Sequence, residues 1–291
     1  MMRSTDTGKA ETAPETAVTE VLGGARTAIV TGAGRGIGRA MVLGLARAGV
    51  RVVATAAREQ AEIEAVAAAA GERIVLPILA DVTREADAQR VVMAALERFG
   101  RLDILINNAG RGMKYVSESF MTEPTRFWEV EPDTWRMVID TNVNGPFLMA
   151  RAATPYMVRA GWGRIVNVSV SHSTMGRPGF SPYGPSKAAL ESETLIWAQD
   201  LHGTGVTVNA LLPGGATLTG MIPEGFPQNA RGRLLDPAIM VPPLLWLVSD
   251  ETEAISGCRI TANRWDEGNP LAAIERAGWG SEATERRSPD R

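Results

Sequence analysis

Tyr183 and Lys187 stand four residues apart in the run SPYGPSKAALES. On a helix that spacing places a phenol and an ammonium on one face. A free phenol ionises near ~10 and is a poor base at neutral pH. A neighbouring cation favours the phenolate, which suits a residue that exchanges protons with an alcohol or a carbonyl. Pro182 and Pro185 flank the tyrosine, so the helix must begin there if it forms at all. Just upstream, GRIVNVSVSHSTMG carries Ser169 and Ser171 on either side of Val170.

A second group of residues suits phosphate chemistry. The run TAIV leads into Thr31-Gly32-Ala33-Gly34-Arg35-Gly36-Ile37-Gly38, and an apolar pattern of helical spacing follows through Ile37, Met41, Leu45 and Ala48. Glycines let the chain turn sharply and bring its backbone against a phosphate. The helix start then offers unpaired N–H groups to a pyrophosphate. A strand, this turn and a helix in that order predict a dinucleotide site. The next strand ends in Ala54-Thr55-Ala56-Ala57-Arg58, with no acid before Glu59. An acid there would bind the ribose hydroxyls of NAD and repel a 2′-phosphate. Its absence, together with Arg35 and Arg58, favours NADP.

The elements that position these residues follow from periodicity. Apolar, β-branched runs at 27–32, 51–56, 73–79, 102–108, 164–169, 206–212 and 258–262 read as strands buried on both faces. Helical patterns lie between them. One follows Thr83, a candidate cap, and closes at Gly100; longer ones cover about 133–160 and 183–202. Strand–helix alternation predicts an α/β fold, a Rossmann-like doubly wound parallel sheet flanked by helices in a single domain over residues 26–266. Two long connections, at about 111–132 and 214–236, are candidate lids or covers for core edges. Residues 1–25 read as a disordered tail, and 267–291 as a partly disordered C-terminal extension.

Composition narrows the rest. The 291 residues carry a formal net charge of −3, so no basic excess draws nucleic acid or anionic lipid. Cys258 is the single cysteine, and His172 and His202 lie far apart, so no metal site is expected. The N-terminus lacks the apolar core of a signal peptide, and no run approaches the ~18 apolar residues of a membrane span. A cytoplasmic location is expected.

TGAGRGIG, Asp81-Val82, Asn107-Asn108-Ala109-Gly110, Asn142, YGPSK and Pro213-Gly214 occur in the order and spacing of the short-chain dehydrogenase/reductase family, which the chain resembles from about residue 26 to 262. The resemblance implies roles. Gly32, Gly34, Arg35, Gly36, Ile37 and Gly38 would hold the pyrophosphate and ribose, with Arg58 on the 2′-phosphate. Asp81 would hold the adenine with the Val82 backbone beside it. Asn108, Ala109 and Gly110 would line the adenosine side. Pro213, Gly214 and Thr219 would meet the nicotinamide end, Thr219 lying slightly farther from the Pro-Gly than the family pattern has it. Tyr183 would be the acid/base, Lys187 would lower its pKa and bind the nicotinamide ribose, and Asn142 would hold a water linking Lys187 to solvent. The family pairs such long helices into dimers and tetramers, so a homodimer or homotetramer is expected.

One position departs from the pattern. Thirteen residues before its tyrosine the family usually has a serine whose hydroxyl bonds the substrate oxygen, and here that residue is Val170. In one reading a bulge or one-residue shift lets Ser171, or else Ser169, supply the hydroxyl. In the other the donor is lost, and both serines cap backbone groups. The expected activity is NADP-dependent hydride transfer between nicotinamide and an apolar ketone or secondary alcohol. The alternatives are a non-redox isomerase, dehydratase or cyclase on the same scaffold, and a cofactor-sensing binding protein.

Overall fold

The computed structural model describes residues 26–226 and 228–278. The tail expected at 1–25 and the end of the C-terminal extension, Trp279 included, lie outside the described residues. The strands are β1 Thr27–Val30, β2 Arg51–Ala56, β3 Val75–Leu79, β4 Ile104–Asn107, β5 Gly163–Val168, β6 Val206–Leu212, β7 Cys258–Thr261 and β8 Ile274–Arg276. The helices are α1 Gly36–Arg47, α2 Gln60–Ala70, α3 Glu85–Phe99, α4 Pro132–Ile139, α5 Gly145–Ala160, α6 His172–Met175, α7 Tyr183–Asp200, α8 Gln228–Arg231 and α9 Val241–Leu247. A π-helical turn, Asp140–Asn144, joins α4 to α5.

The strands form one sheet in the order β3-β2-β1-β4-β5-β6-β7-β8. The first seven run parallel, and β8 pairs antiparallel with β7. β8 belongs to the segment expected as an extension, and its three residues Ile-Glu-Arg carry too little apolar pattern to announce a strand. The strand order reverses between β1 and β4, so the connections leaving these strands diverge and open a crevice at their carboxyl ends.

Successive strand residues face opposite layers. Ala28, Val30, Val52 and Ile106 pack with Met41 and Leu45 of α1 and Leu244 and Leu247 of α9. Ile29, Val53, Leu105 and Ile165 pack with Val91 and Ala95 of α3 and with Met149 and Met157 of α5. Both faces are covered, which is why the strands read as unbroken apolar runs; each fully buried large side chain contributes about 1.5–3 kcal/mol. Gly100 ends α3 in the left-handed region, φ 79°, as expected. Its N-cap position is held by Arg84, not by Thr83, whose hydroxyl instead donates to Asp81 Oδ1 (2.8 Å).

The long connections are partly built into the fold. In 111–132, Met113 and Phe120 are buried with Phe180, while Phe127 and Trp128 are 68% and 66% exposed. In 214–236, Leu218 N donates to Leu235 O and Leu235 N to Ala216 O, which folds the segment back on itself. Among the described residues no helix is long and apolar enough to cross a membrane.

Candidate active site

Parallel register brings the chemistry-bearing residues to one edge. Val30 pairs with Ile106, Asn107 with Asn167 and Val168 with Leu211, so the segments leaving β1, β4, β5 and β6 emerge together. The glycine turn follows β1. Gly32 and Gly36 have φ 63° and 53°, which a side chain would strain. A Cβ on Gly38 would stand 2.1 Å from Gly32 O, so α1 can start this close to the strand end only through glycine. Asn108 locks the turn from β4: its Nδ2 donates to Thr31 O (2.8 Å) and Gly32 O (2.9 Å). Thr31 Oγ1 accepts from the backbone N–H of Asn108 and of Ala109. Ala33 N donates to Thr55 O, tying the turn to the end of β2. This glycine-lined turn before a helix start fits a dinucleotide pyrophosphate.

The flanking residues of that cradle are placed as follows. Asp81 uses Oδ1 to accept from Thr83 N and Oγ1, and its own N–H donates to Asp87 Oδ2. That backbone bond holds the Asp87 carboxyl below the usual carboxylate range, against desolvation and with help from Arg90. The Val82 side chain abuts Gly145, where a Cβ would meet it at 2.7 Å. Arg35 and Arg58 are exposed. Thr219 lies over Gly36, its Cγ2 3.0 Å from where a Cβ there would stand. Pro213 O accepts from Asn263 N, and Asn263 Nδ2 donates to Gly214 O (3.1 Å).

On the other wall Tyr183 is the first residue of α7, with Pro182 at the N-cap and Pro185 in the first turn. Lys187, one turn on, is buried and donates from Nζ to Val168 O (2.7 Å). Burial pushes the Tyr183 phenol up to about 12 and draws Lys187 down to about 8, the latter opposed by the charge of Glu191. In the protein alone desolvation therefore outweighs the pKa lowering expected from the pair's spacing. Asn142 sits in the π-helical turn, fully buried. Its Oδ1 accepts from Arg111 N, and its Nδ2 donates to Arg111 O and to Ser186 Oγ. Ser186 Oγ donates in turn to Tyr183 O (2.7 Å). The Asn142 side chain thus pins the 111–132 connection to the start of α7. Beneath it Asn107 Nδ2 donates to Asn167 Oδ1, and Asn167 Nδ2 to Thr194 Oγ1, joining β4, β5 and α7.

At position 170 pairing runs in register through Val168↔Leu211, and Ser169 N donates to Leu211 O, so β5 has no bulge up to that point. Ser171 is the N-cap of α6: its Oγ accepts from Thr174 N (3.3 Å) and lies within hydrogen-bond reach of Ser173 Oγ and Thr174 Oγ1. Ser169 Oγ is buried and makes no hydrogen bond among the described residues. The Val170 carbonyl accepts from Arg259 Nη2 (2.9 Å).

Arg259 belongs to a network that sequence reading missed. Its side chain is 2% exposed and that of Glu191 0%, with Arg259 Nε 3.7 Å from Glu191 Oε1. Arg259 Nη1 contacts His172 Nε2, which stands 3.2 Å from Gly278 O, and Gly278 N donates to Glu191 Oε2. The signal was an arginine inside the apolar strand CRITA, but its partners lie far away in sequence. Ser186 lay within the quoted YGPSK motif; Asn263 gave no local signal. Beside the tyrosine, a groove of about 350 Å³ is lined by Arg126, Phe127, Trp128, Arg177, Phe180 and Pro185.

The model of the short chain dehydrogenase family matches residues 26–229. The chain is 36% identical to a 3-oxoacyl-[acyl-carrier-protein] reductase of Synechocystis sp., over 65% of this chain and 74% of that one. It is 34% identical to a short-chain type dehydrogenase/reductase of Picea abies, over 82% and 92%. A crystal structure of 3-ketoacyl-(acyl-carrier-protein) reductase from Brucella melitensis, complexed with NADH, superposes with a TM-score of 0.71 at 32% identity, covering 82% of this chain and 96% of that one. The glycine cradle, the Tyr183–Lys187 pair and these matches agree, and the chain belongs to the short-chain dehydrogenase/reductase family.

Proposed function

We propose that this chain is an NADP(H)-dependent oxidoreductase that interconverts an apolar ketone and its secondary alcohol, with Tyr183 as the acid/base. The observation that carries this reading is the placing of the glycine cradle and the Tyr183–Lys187 pair at the same carboxyl-end edge of one parallel sheet. A bound nicotinamide dinucleotide supplies or accepts the hydride. In the direction of reduction Tyr183 gives its phenolic proton to the substrate oxygen. Lys187, anchored on the Val168 carbonyl, stabilises the phenolate left behind and holds the cofactor ribose. Asn142 fixes the start of α7 and a water that links Lys187 to solvent. Ser171, at the mouth of α6, supplies the hydrogen bond that Val170 cannot.

With the cofactor bound, Asp81 would hold the adenine, Arg35 and Arg58 would take the 2′-phosphate, and Pro213, Gly214 and Thr219 would border the nicotinamide. The similarity to 3-oxoacyl-[acyl-carrier-protein] reductases supports a ketone substrate. The exposed Phe147 and Val158 of α5 and Ile196 of α7 support a homodimer or homotetramer, and a cytoplasmic location fits this reading.

Val170 favours one second reading: a site short of a donor to the substrate oxygen could serve an isomerase, dehydratase or cyclase that retains the cofactor. Purified protein mixed with NADPH and a panel of apolar ketones separates the two. Loss of reduced-nicotinamide absorbance, slowed ~10²–10⁴-fold by Tyr183→Phe at unchanged NADPH affinity, is expected. Substrate conversion without net NADPH loss would establish the second reading; cofactor binding without conversion would leave a binding protein.

A further inference from the structure

The end of β2 carries no acid, and the structure brings one to the glycine turn from another element. Glu62, in the first turn of α2, reaches back across the turn. A Cβ on Gly34 would stand 2.7 Å from Glu62 Cβ and 2.8 Å from Glu62 Oε2, so the glutamate rests on the bare Cα of that glycine. Glu62 Oε1 accepts from Arg35 Nη1 at 3.4 Å. The same guanidinium lies against Gly220 of the 214–236 segment, where a Cβ would meet its Nε at 3.3 Å and its Cζ at 3.4 Å. Arg35 is therefore held from two sides, whereas Arg58 forms no ion pair among the described residues.

We propose that Glu62 is a specificity-determining residue for the cofactor: its carboxylate occupies Arg35 and opposes a ribose 2′-phosphate, so that the chain accepts NADH beside NADPH. Two effects have the same sign. The carboxylate competes for the arginine that a phosphate would bind, and its charge repels a group carrying nearly two negative charges. For NADH neither cost arises, and the carboxylate can accept from a ribose hydroxyl. The pair is at the surface, with side chains 64% and 35% exposed, so it is weak enough for a phosphate to open. The result is a graded preference instead of an absolute one.

The proposal rests on the nicotinamide reading above, and direct binding tests it without any substrate. NADPH and NADH are titrated separately into wild type, Glu62→Gln and Arg35→Ala, following reduced-nicotinamide fluorescence. Glu62→Gln is expected to lower the Kd for NADPH on the order of tenfold, from removal of one charge near the phosphate across partly exposed surface. The Kd for NADH is expected to stay within about twofold or to rise. High salt is expected to shrink the gain. An unchanged Kd for NADPH in Glu62→Gln, or equal falls for both cofactors, overturns the role of Glu62. If that occurs while Arg35→Ala still weakens NADPH selectively, the 2′-phosphate assignment survives alone. If wild type binds neither cofactor, the nicotinamide reading fails and this proposal with it.

Discussion

Around the glycine turn, shape comes from backbone and from side chains that are absent; at the end of β5 it comes from buried charge. Gly38 approaches Gly32 O so closely that no Cβ fits, and Asn108 ties the turn down with neutral hydrogen bonds. Across the crevice, two cations each donate to a strand-end carbonyl: Lys187 to that of Val168, and Arg259 to that of Val170. Ser169 lies between them with a buried hydroxyl that makes no hydrogen bond among the described residues. The ion pairs of the two sides differ in the same sense. Arg35–Glu62 is largely exposed and contributes under about 1 kcal/mol, so a ligand can rearrange it. Arg259–Glu191 is fully buried, and its value lies in what is lost when one partner goes. The glycine-turn side can therefore adapt at its rim, while the end of β5 is held from behind by α7, β7 and the segment reaching Gly278.

This contrast can be broken most forcefully at the buried pair. Arg259→Met alone is expected to cost about 3–5 kcal/mol of unfolding free energy, because Glu191 loses its buried ion-pair partner. The double variant Arg259→Met/Glu191→Leu is expected to recover most of that in urea denaturation. Recovery of stability with kcat still depressed would show that the pair positions the strand end as well as stabilising the fold. Next in size is Gly38→Ala, which forces a Cβ against Gly32 O. A loss of about 1–3 kcal/mol from overpacking is expected, together with loss of NADPH binding. Binding at wild-type affinity would mean that the cradle is less backbone-defined than its contacts imply.

The smallest effects are expected at the hydroxyls. Removing a donor to the reacting oxygen typically costs ~10²–10³ in rate, and Ser171→Ala is expected to fall at or below the lower end because its hydroxyl also serves as a cap. If Ser171→Ala turns over normally while Val170→Ser is faster than wild type, the substrate side lacks that donor.

Much of the cofactor side was legible in the linear chain. Thr31 through Gly38 are contiguous, and a tight turn before a helix leaves its mark in neighbouring residues. The seven parallel strands were legible for a similar reason, since burial on both faces writes an apolar run into each. Tyr183 and Lys187 announced themselves because one helical turn is a local distance. β8 gave no such mark, being three residues on a sheet edge. The pKa of the tyrosine also escaped, because spacing reports which charge is near and not how much water both groups lose.

The sequence by itself determined the seven parallel strands, the glycine turn and the one-turn spacing of Tyr183 and Lys187, since each is written in contiguous residues. Tertiary structure alone decided that Glu62 would rest on Gly34 beside Arg35, that Asn142 would brace α7 through Ser186, and that Arg259 would reach Glu191 and the carbonyl of Val170. Those contacts join residues from separate elements, and only the packing of the sheet against its helices brings them within a few ångströms.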